Sequence, residues 1–291
     1  MLTNEKDIIS QYDKVDLILD HSREEVFYRC PMEAYNAYEL RLEPVTRDSD
    51  ALEFGSRLHK YLETNDEKAW EGYKETGKHK RDHRTKGKGL ALGKLYKEKY
   101  QEADSNRFTL VSSEFCFAIK EEYAEKKILI KGKIDEILRE KETGLLWINE
   151  FKHSATYNDE TYFKPYYLGH QFKYYIPAIE AMPAPEAIPM QAHAQVGGII
   201  INLFQVTKEA TDDADLRRKE IAIEDVTLPD IAIFDTAHDW IDSRERGYWQ
   251  KRTGACRRFN RMCDFYDICR YGRVDSVMKN YKEKSNNDWH R

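Results

Sequence analysis

The 291-residue sequence has no long hydrophobic run, no glycine-rich phosphate-loop signature and no surplus of positive charge. Its longest apolar stretch, Val196 to Phe204, is broken by Asn202 and falls far short of the roughly 20 residues of a membrane span. The opening residues, MLTNEKDIISQYDKVD, lack the basic start and apolar core of a secretory signal, so a cytoplasmic, membrane-free protein is expected. Without a G-x-x-x-x-G-K-[ST] pattern, no nucleotide-driven motor is fused to the chain. No internal repeat or low-complexity tract is visible. Cysteine is sparse, at five residues, and in a cytosolic chain disulfides are disfavoured, which leaves metal binding or plain burial.

The net charge, 47 − 52 = −5, argues against a nonspecific nucleic-acid coat protein. The charge is uneven, however. Lys78 to Gly89 holds six Lys/Arg against one Asp, and Arg244 to Arg273 holds nine against three. An acidic body with two basic stretches attracts a polyanion locally. Hydrophobic residues at 41%, with 19 Tyr and 12 Phe, suffice for a sizeable core, and 34% charged residues exceed the roughly 25% of an average soluble chain.

Periodicity predicts helices after Pro31, over Ser49 to Glu63, around Asp66 to Glu75 and over Leu90 to Ala103. The Lys78–Gly89 stretch between them reads as a loop. Strand-like runs follow at Phe108 to Ile119, Ile128 to Arg139 and Leu145 to Lys152. Then come a helix over Pro165 to Ala181, a buried strand over Val196 to Val206, an edge strand over Ile221 to Val226 and a helix over Leu228 to Gln250. This order predicts an α/β core with a helical N-terminal elaboration.

The most informative segment is KILIKGKIDEILREKETGLLWINEFKHS, Lys127 to Ser154. A tight turn centred between Glu142 and Thr143 pairs residues whose numbers sum to 285, which sets Asp135 opposite Glu150 and Lys133 opposite Lys152. Alternation then puts Asp135, Glu150 and Lys152 on one face and Ile134, Trp147 and Phe151 on the other, apolar one. Two carboxylates about 5 Å apart repel unless something neutralises them. A divalent cation does so, and carboxylate oxygens suit Mg²⁺ or Mn²⁺. The bland alternative is a solvated hairpin face.

The motifs GKIDEIL (Gly132–Leu138) and WINEFK (Trp147–Lys152) resemble those of the PD-(D/E)XK nuclease superfamily, in its RecB-like branch. GSRLHKYLE at Gly55 to Glu63, with His59, and QFKYY, with Gln171 and Tyr175, stand in the order that branch has them. The resemblance implies a restriction-endonuclease-like core, a central mixed sheet flanked by helices, with a C-terminal cysteine-rich region. It implies one nuclease domain over 1–291, with a helical N-terminal part (1–107), a catalytic core (108–227) and a C-terminal part (228–291) closed by Cys30. By the same resemblance Asp135 and Glu150 ligate the metal, with His59 and the Phe151 carbonyl as further ligands. Lys152 positions or activates the attacking water, and Gln171 and Tyr175 orient the lysine or the DNA backbone.

Three cysteines, Cys256, Cys263 and Cys269, form C-x6-C-x5-C, and Cys30 precedes a helix in YRCPMEAY. This resembles the iron–sulfur subgroup of these nucleases, which includes AddB-type helicase–nucleases and CRISPR-associated spacer-acquisition exonucleases, although that subgroup's first gap is usually two. Four thiolates can hold [4Fe–4S] or Zn²⁺. Cys116, mid-strand, reads as a small core residue. Lys78, Lys80, Arg81, Arg84, Lys86, Lys88, Arg257 and Arg258 are candidates for phosphate contact. Tyr248, Trp249 and Phe259 are candidates for stacking on bases.

The expectation is therefore a metal-dependent deoxyribonuclease, an exonuclease on single strands or DNA ends. Recombination, repair or phage DNA processing is the setting, in a bacterium or phage-infected host. A homo-oligomer or a recombination or replication partner is compatible with it. The alternatives are a structure- or sequence-specific endonuclease and a catalytically silent DNA-binding or assembly module.

Overall fold

The computed structural model of the chain describes residues 1–46, 50–75, 83–123, 125–155, 160–169, 171–182, 196–207, 211–227, 232–258 and 261–284, with Asp50, Ala232 and Arg258 as backbone only. Its strands are β1 (Leu17–Leu19), β2 (Leu42–Pro44), β3 (Phe108–Tyr123), β4 (Lys126–Glu140), β5 (Leu146–Ser154), β6 (Val196–Gln205), β7 (Leu216–Ala222), β8 (Arg257–Arg258), β9 (Arg261–Met262) and β10 (Tyr281–Glu283). The helices used below are α1 (His21–Arg29), α2 (Asp50–Thr64), α3 (Lys86–Tyr96), α4 (Phe172–Glu180) and α5 (Ala232–Glu245). Strands β1 and β3 to β7 make a central mixed sheet flanked by helices, the fold class expected from the sequence, while β2 pairs with β10 and β8 with β9. Among the described residues, no helix is long and apolar enough to cross a membrane.

The chain divides into two compact units, one of Met1–Arg47, Cys116–Gly132 and Pro229–Arg291, the other of Asp48–Phe115 and Lys133–Leu228. Strands β3 and β4 run from one unit into the other. In the second unit β4 pairs antiparallel with β5, β5 parallel with β6, and β6 antiparallel with β7. The β4–β5 register is the expected one: Glu136 faces Asn149, Ile137 faces Ile148 and Leu138 faces Trp147. β6 is buried along its whole length, as a strand with a parallel neighbour should be.

Helix α2 is amphipathic. Phe54, Leu58 and Tyr61 recur at i, i+4 and i+7 and pack with Trp70, Leu92, Phe151 and Phe204. Each such side chain contributes roughly 1.5–3 kcal/mol when fully buried. Gly55 is required where α2 crosses β5, because a Cβ there would stand 2.4 Å from the His153 ring. That close approach carries His59, one turn further on, over the strand.

Three sequence expectations need correction. The segment predicted as a helix around Asp66 to Glu75 holds only one 3-10 turn, Glu67–Trp70. The edge strand expected at 221–226 lies at Leu216–Ala222. The basic stretch read as a loop becomes helix at Lys86, because Thr85 caps α3 by accepting from the Lys88 amide at 3.1 Å.

In the first unit β1 lies parallel to the start of β4, Leu17 against Ile128. Asp20 caps α1, and Pro31 opens the next helical turn directly after Cys30. Phe27 of α1 stacks on Trp240 of α5 with centroids 4.9 Å apart. Cys116 is buried among Ile8, Tyr12, Ile18 and Leu129, the core role its strand position predicts.

Candidate active site and cysteine site

The β4–β5 ladder ends at the Glu136–Asn149 pair. One step on, where backbone pairing would have set Asp135 opposite Glu150, the Asp135 carboxylate takes over. Its Oδ2 accepts the Phe151 amide at 2.8 Å. In an extended strand a residue's N–H and C=O point to the same side, so the Phe151 carbonyl faces β4 as well.

Glu150 and Lys152 share a face, as alternation requires, and Lys152 Nζ donates to Glu150 Oε2 at 2.8 Å. Glu150 is 1% exposed, and its Oε1 has no hydrogen-bond partner. A buried carboxylate oxygen without a donor is costly, and a cation is the natural group to satisfy it. The Gln171 amide lies close enough to favour the ionised Glu150, although its Nε2 closes no hydrogen bond of normal geometry. Tyr175 Oη donates to the Lys133 carbonyl at 2.8 Å, tying α4 to β4. Gln171 and Tyr175, four apart, therefore both reach this end of the sheet.

His59 Nδ1 stands 3.3 Å from Asp135 Oδ1. Burial alone would lower the His59 pKa, but the Asp135 charge and hydrogen bond raise it above 6.5. Burial would raise the Asp135 carboxyl, and His59, Lys152 and the Phe151 amide outweigh that and hold it low. Glu150 is pushed up, by burial first and by the Asp135 charge second. Burial works against the Lys152 ammonium, yet Glu150 and Asp135 raise its pKa, so it is a cation at neutral pH. One carboxylate held low, its neighbour pushed up and a protonated lysine beside them is the pattern of two acids forced to share one small site.

The sequence places Lys133 opposite Lys152 but gives no role to Glu114. Glu114 of β3 brings an oxygen to within 4.8 Å of ligand atoms on His59 and Asp135. Lys133 forms an ion pair with Glu114. The signal for Glu114 was an acidic residue inside the otherwise apolar-patterned SSEFCF.

The opposite face of β4 and β5 is buried as predicted at Ile134, Trp147 and Phe151, but it also carries a polar chain. Asn149 donates to Glu136 (2.7 Å), Asn202 of β6 donates to Asn149 (2.7 Å), and Arg218 of β7 donates to Asn202 (2.7 Å). Arg218 also grips Asp104 through both of its terminal nitrogens, at 2.6 and 2.7 Å. Burial pushes Glu136 up to about 7, against the Asn149 hydrogen bond. The chain ties β4, β5, β6 and β7 together directly behind the carboxylate pair.

In the other unit, Cys30, Cys256, Cys263 and Cys269 all line one cavity of about 190 Å³, with Glu33, Lys251 and Arg270 beside them. All four are free thiols. Burial, then neighbouring Glu33, Cys269 and Cys30, push the Cys263 thiol up to about 12. Four thiols around one cavity are the donor set of a metal site. A lone Zn²⁺ with tetrahedral bonds of about 2.3 Å draws its sulfurs to about 3.8 Å of one another. Zn²⁺ and an iron–sulfur cluster both take four thiolate ligands.

The expected phosphate contacts are divided. Lys78, Lys80 and Arg81 lie outside the described residues, as do Phe259 and the Arg258 side chain. Lys86 and Arg257 are exposed, and Arg84 is half-buried. Lys88 is the exception: its ammonium is buried on Asp215 at 2.8 Å and faces no solvent. It is a structural ion pair rather than a phosphate contact. Trp249 is buried and stacks on Tyr35, a packing role, whereas Tyr248 is 67% exposed.

A family model for the PD-(D/E)XK nuclease superfamily matches residues 19–270, and the chain belongs to that superfamily. Its class is accordingly that of the metal-dependent nucleases, hydrolases that act on DNA with Mg²⁺ or Mn²⁺. The sequence matches no curated protein. Among solved structures, the chain described as "Crystal structure of SSO0001" is similar at 14% identity and a TM-score of 0.34, over 82% of this chain and 83% of that one. That likeness is too loose to add to the family match.

Proposed function

We propose that the protein is a DNA exonuclease acting on single strands or DNA ends, with a [4Fe–4S] cluster as a structural staple. The observation that carries the hydrolytic reading is the buried Asp135–Glu150 pair, with Glu150 Oε1 unsatisfied beside the Lys152 ammonium. Asp135, Glu150, His59 and the Phe151 carbonyl would hold the catalytic ion. When bound, Mg²⁺ or Mn²⁺ lowers the pKa of a ligated water and neutralises charge on the phosphate. Lys152, an ammonium ion, orients the attacking water and the scissile phosphate and stabilises developing oxyanion charge. Gln171 would orient Lys152 or the DNA backbone beside it, and Tyr175 fixes the backbone of β4 at Lys133, two residues from Asp135.

Cys30, Cys256, Cys263 and Cys269 would hold the cluster, which joins residues more than 200 positions apart and stabilises the fold rather than taking part in hydrolysis. The exonuclease reading rests on this quartet together with the four ordered motifs, the combination that resembles iron–sulfur exonucleases. Its test is cleavage of 5′- and 3′-end-labelled single- and double-stranded DNA and of a closed circle, with Mg²⁺ or Mn²⁺ and anaerobically purified protein. Degradation of linear DNA alone, absent in Lys152→Ala, supports the reading. Cutting of the circle replaces it with an endonuclease, and binding without metal-dependent cleavage replaces it with a DNA-binding module.

A further inference from the structure

We infer that a cavity of about 490 Å³ in the unit that bears the cysteines takes one unpaired nucleotide of a DNA strand, its base stacked on Tyr248 and its phosphate on Lys251. The inference rests on DNA being the substrate and is independent of whether cleavage starts from an end.

The end of α5 builds one wall. Gly247 follows the helix in the left-handed region, φ 61°, and its amide and that of Tyr248 donate to the Arg244 and Ser243 carbonyls, both at 3.1 Å. After this reversal the next two side chains part. Trp249 turns inward, 6% exposed, and stacks on Tyr35 with centroids 5.0 Å apart, while Tyr248 stays 67% exposed. The Met32 amide donates to the Gln250 carbonyl at 3.1 Å, which ties this segment to the helical turn opened by Pro31. The cavity therefore has a packed aromatic floor and, at its edge, a large ring that packing does not use.

Charge decides what accompanies the base. Arg244 is already engaged: it donates to both oxygens of Glu39, at 2.6 and 3.0 Å, and to the Asp16 carbonyl at 2.6 Å. Glu39 also accepts the Trp240 indole N–H at 2.7 Å, so this pair cancels and is held in place. Lys251 is exposed and donates to the Cys269 carbonyl at 3.1 Å, and among the described residues it forms no ion pair. The cavity thus carries one unmatched positive charge beside an exposed ring. A phosphodiester carries one negative charge and is attached to a base, which matches both features. An apolar side chain of a protein partner would leave Lys251 unmatched, and a duplex keeps its bases paired and stacked away from the ring. The volume lies within the roughly 300–1,000 Å³ of small-ligand sites. Stacking tolerates every base, so the pocket should hold a strand without reading its sequence.

The test is photocrosslinking of the full chain, with no divalent metal added, to a single-stranded oligonucleotide carrying iododeoxyuridine, the attachment site being read by mass spectrometry. Fluorescence anisotropy with the unmodified strand gives affinities alongside. The crosslink should fall on Tyr248. Tyr248→Ala should bind the single strand about tenfold more weakly, within the range of one lost base stack, and Tyr248→Phe, which keeps the ring, should bind like wild type. Tyr271→Ala, an exposed tyrosine that does not line the cavity, should also bind like wild type. Lys251→Met should reduce the slope of log affinity against log salt by about 0.7, the share of one phosphate on a single strand. Crosslinks elsewhere with unchanged affinity in Tyr248→Ala overturn the inference, as does equal weakening of blunt duplex binding in that variant. Should Lys251→Met fail to fold, the Tyr248 pair decides alone, because that exposed ring supports no packing. Mg²⁺-dependent cleavage run in parallel separates the two readings. A crosslink at Tyr248 without cleavage removes the nuclease and leaves the pocket standing, whereas cleavage with unchanged affinity in Tyr248→Ala does the reverse.

Discussion

The Phe151 amide donates to Asp135 Oδ2 at 2.8 Å, one residue beyond the last backbone rung between β4 and β5. A side chain has taken the place of a ladder hydrogen bond, and the two strands part there. The Asp135 and Glu150 carboxylates stand on one face there, while Asn149 donates to Glu136 and holds the opposite face closed.

Lys152→Ala should lower cleavage by about 10²–10³-fold or more, the usual cost of removing one group that stabilises transition-state charge. It should also destabilise the metal-free protein by about 3 kcal/mol, since Glu150 then loses its buried counter-ion. Added Mg²⁺ should restore part of the melting temperature but not the activity. A variant that is both fully active and equally stable would remove Lys152 from the site.

His59 supplies a pH signature. Its folded pKa is raised, so its ion pair with Asp135 stabilises the metal-free protein fully below the unfolded value of about 6.5 and is lost as pH rises through the folded value. Metal affinity should run the other way, because the imidazole must be neutral to ligate. Metal-free wild type should therefore lose melting temperature as pH rises above about 6.5, while its Mn²⁺ affinity rises. His59→Gln should show neither trend, which thermal melts and Mn²⁺ titrations at each pH will check.

Serine at Cys30, Cys256, Cys263 or Cys269 should abolish bound iron and the visible charge-transfer absorbance of anaerobically purified protein, and should lower its melting temperature. Cys116→Ser should keep the iron, because Cys116 packs in a separate apolar cluster. Stoichiometric zinc with no iron in the wild-type protein would replace the cluster with a zinc site.

Lys88→Met should cost about 3–5 kcal/mol by stranding Asp215, which is buried with it. DNA affinity and its salt dependence should stay unchanged once the protein is folded. Lys86→Ala should behave oppositely, with unchanged stability and a shallower salt slope of DNA binding.

Lys88 also shows where sequence reasoning reaches and where it stops. The β4–β5 register, the shared face of Glu150 and Lys152 and the helical placement of His59 follow from turn position and periodicity, which are local. Lys88 reads as a basic-loop residue because its partner is 127 residues away, and nothing in KHKRDHRTKGKG announces Asp215. Glu114 was missed for the same reason. It joins the site through the pairing of β3 with β4, which leaves no spacing pattern. The cysteine quartet was legible because thiols are rare, so four of them at non-random positions stand out even 226 residues apart, from Cys30 to Cys256.

The make-up of the cysteine-bearing unit has a consequence during synthesis. Its first 47 residues emerge early, but the unit cannot close until residues beyond 229 are made. At about 5–20 residues per second, residues 48–228 take roughly ten to forty seconds. For that interval Cys30 and the apolar face of α1 wait on the ribosome without the helix and thiols that will cover them. Any group held by all four thiols therefore enters only after Cys269 has been made, 239 residues after Cys30.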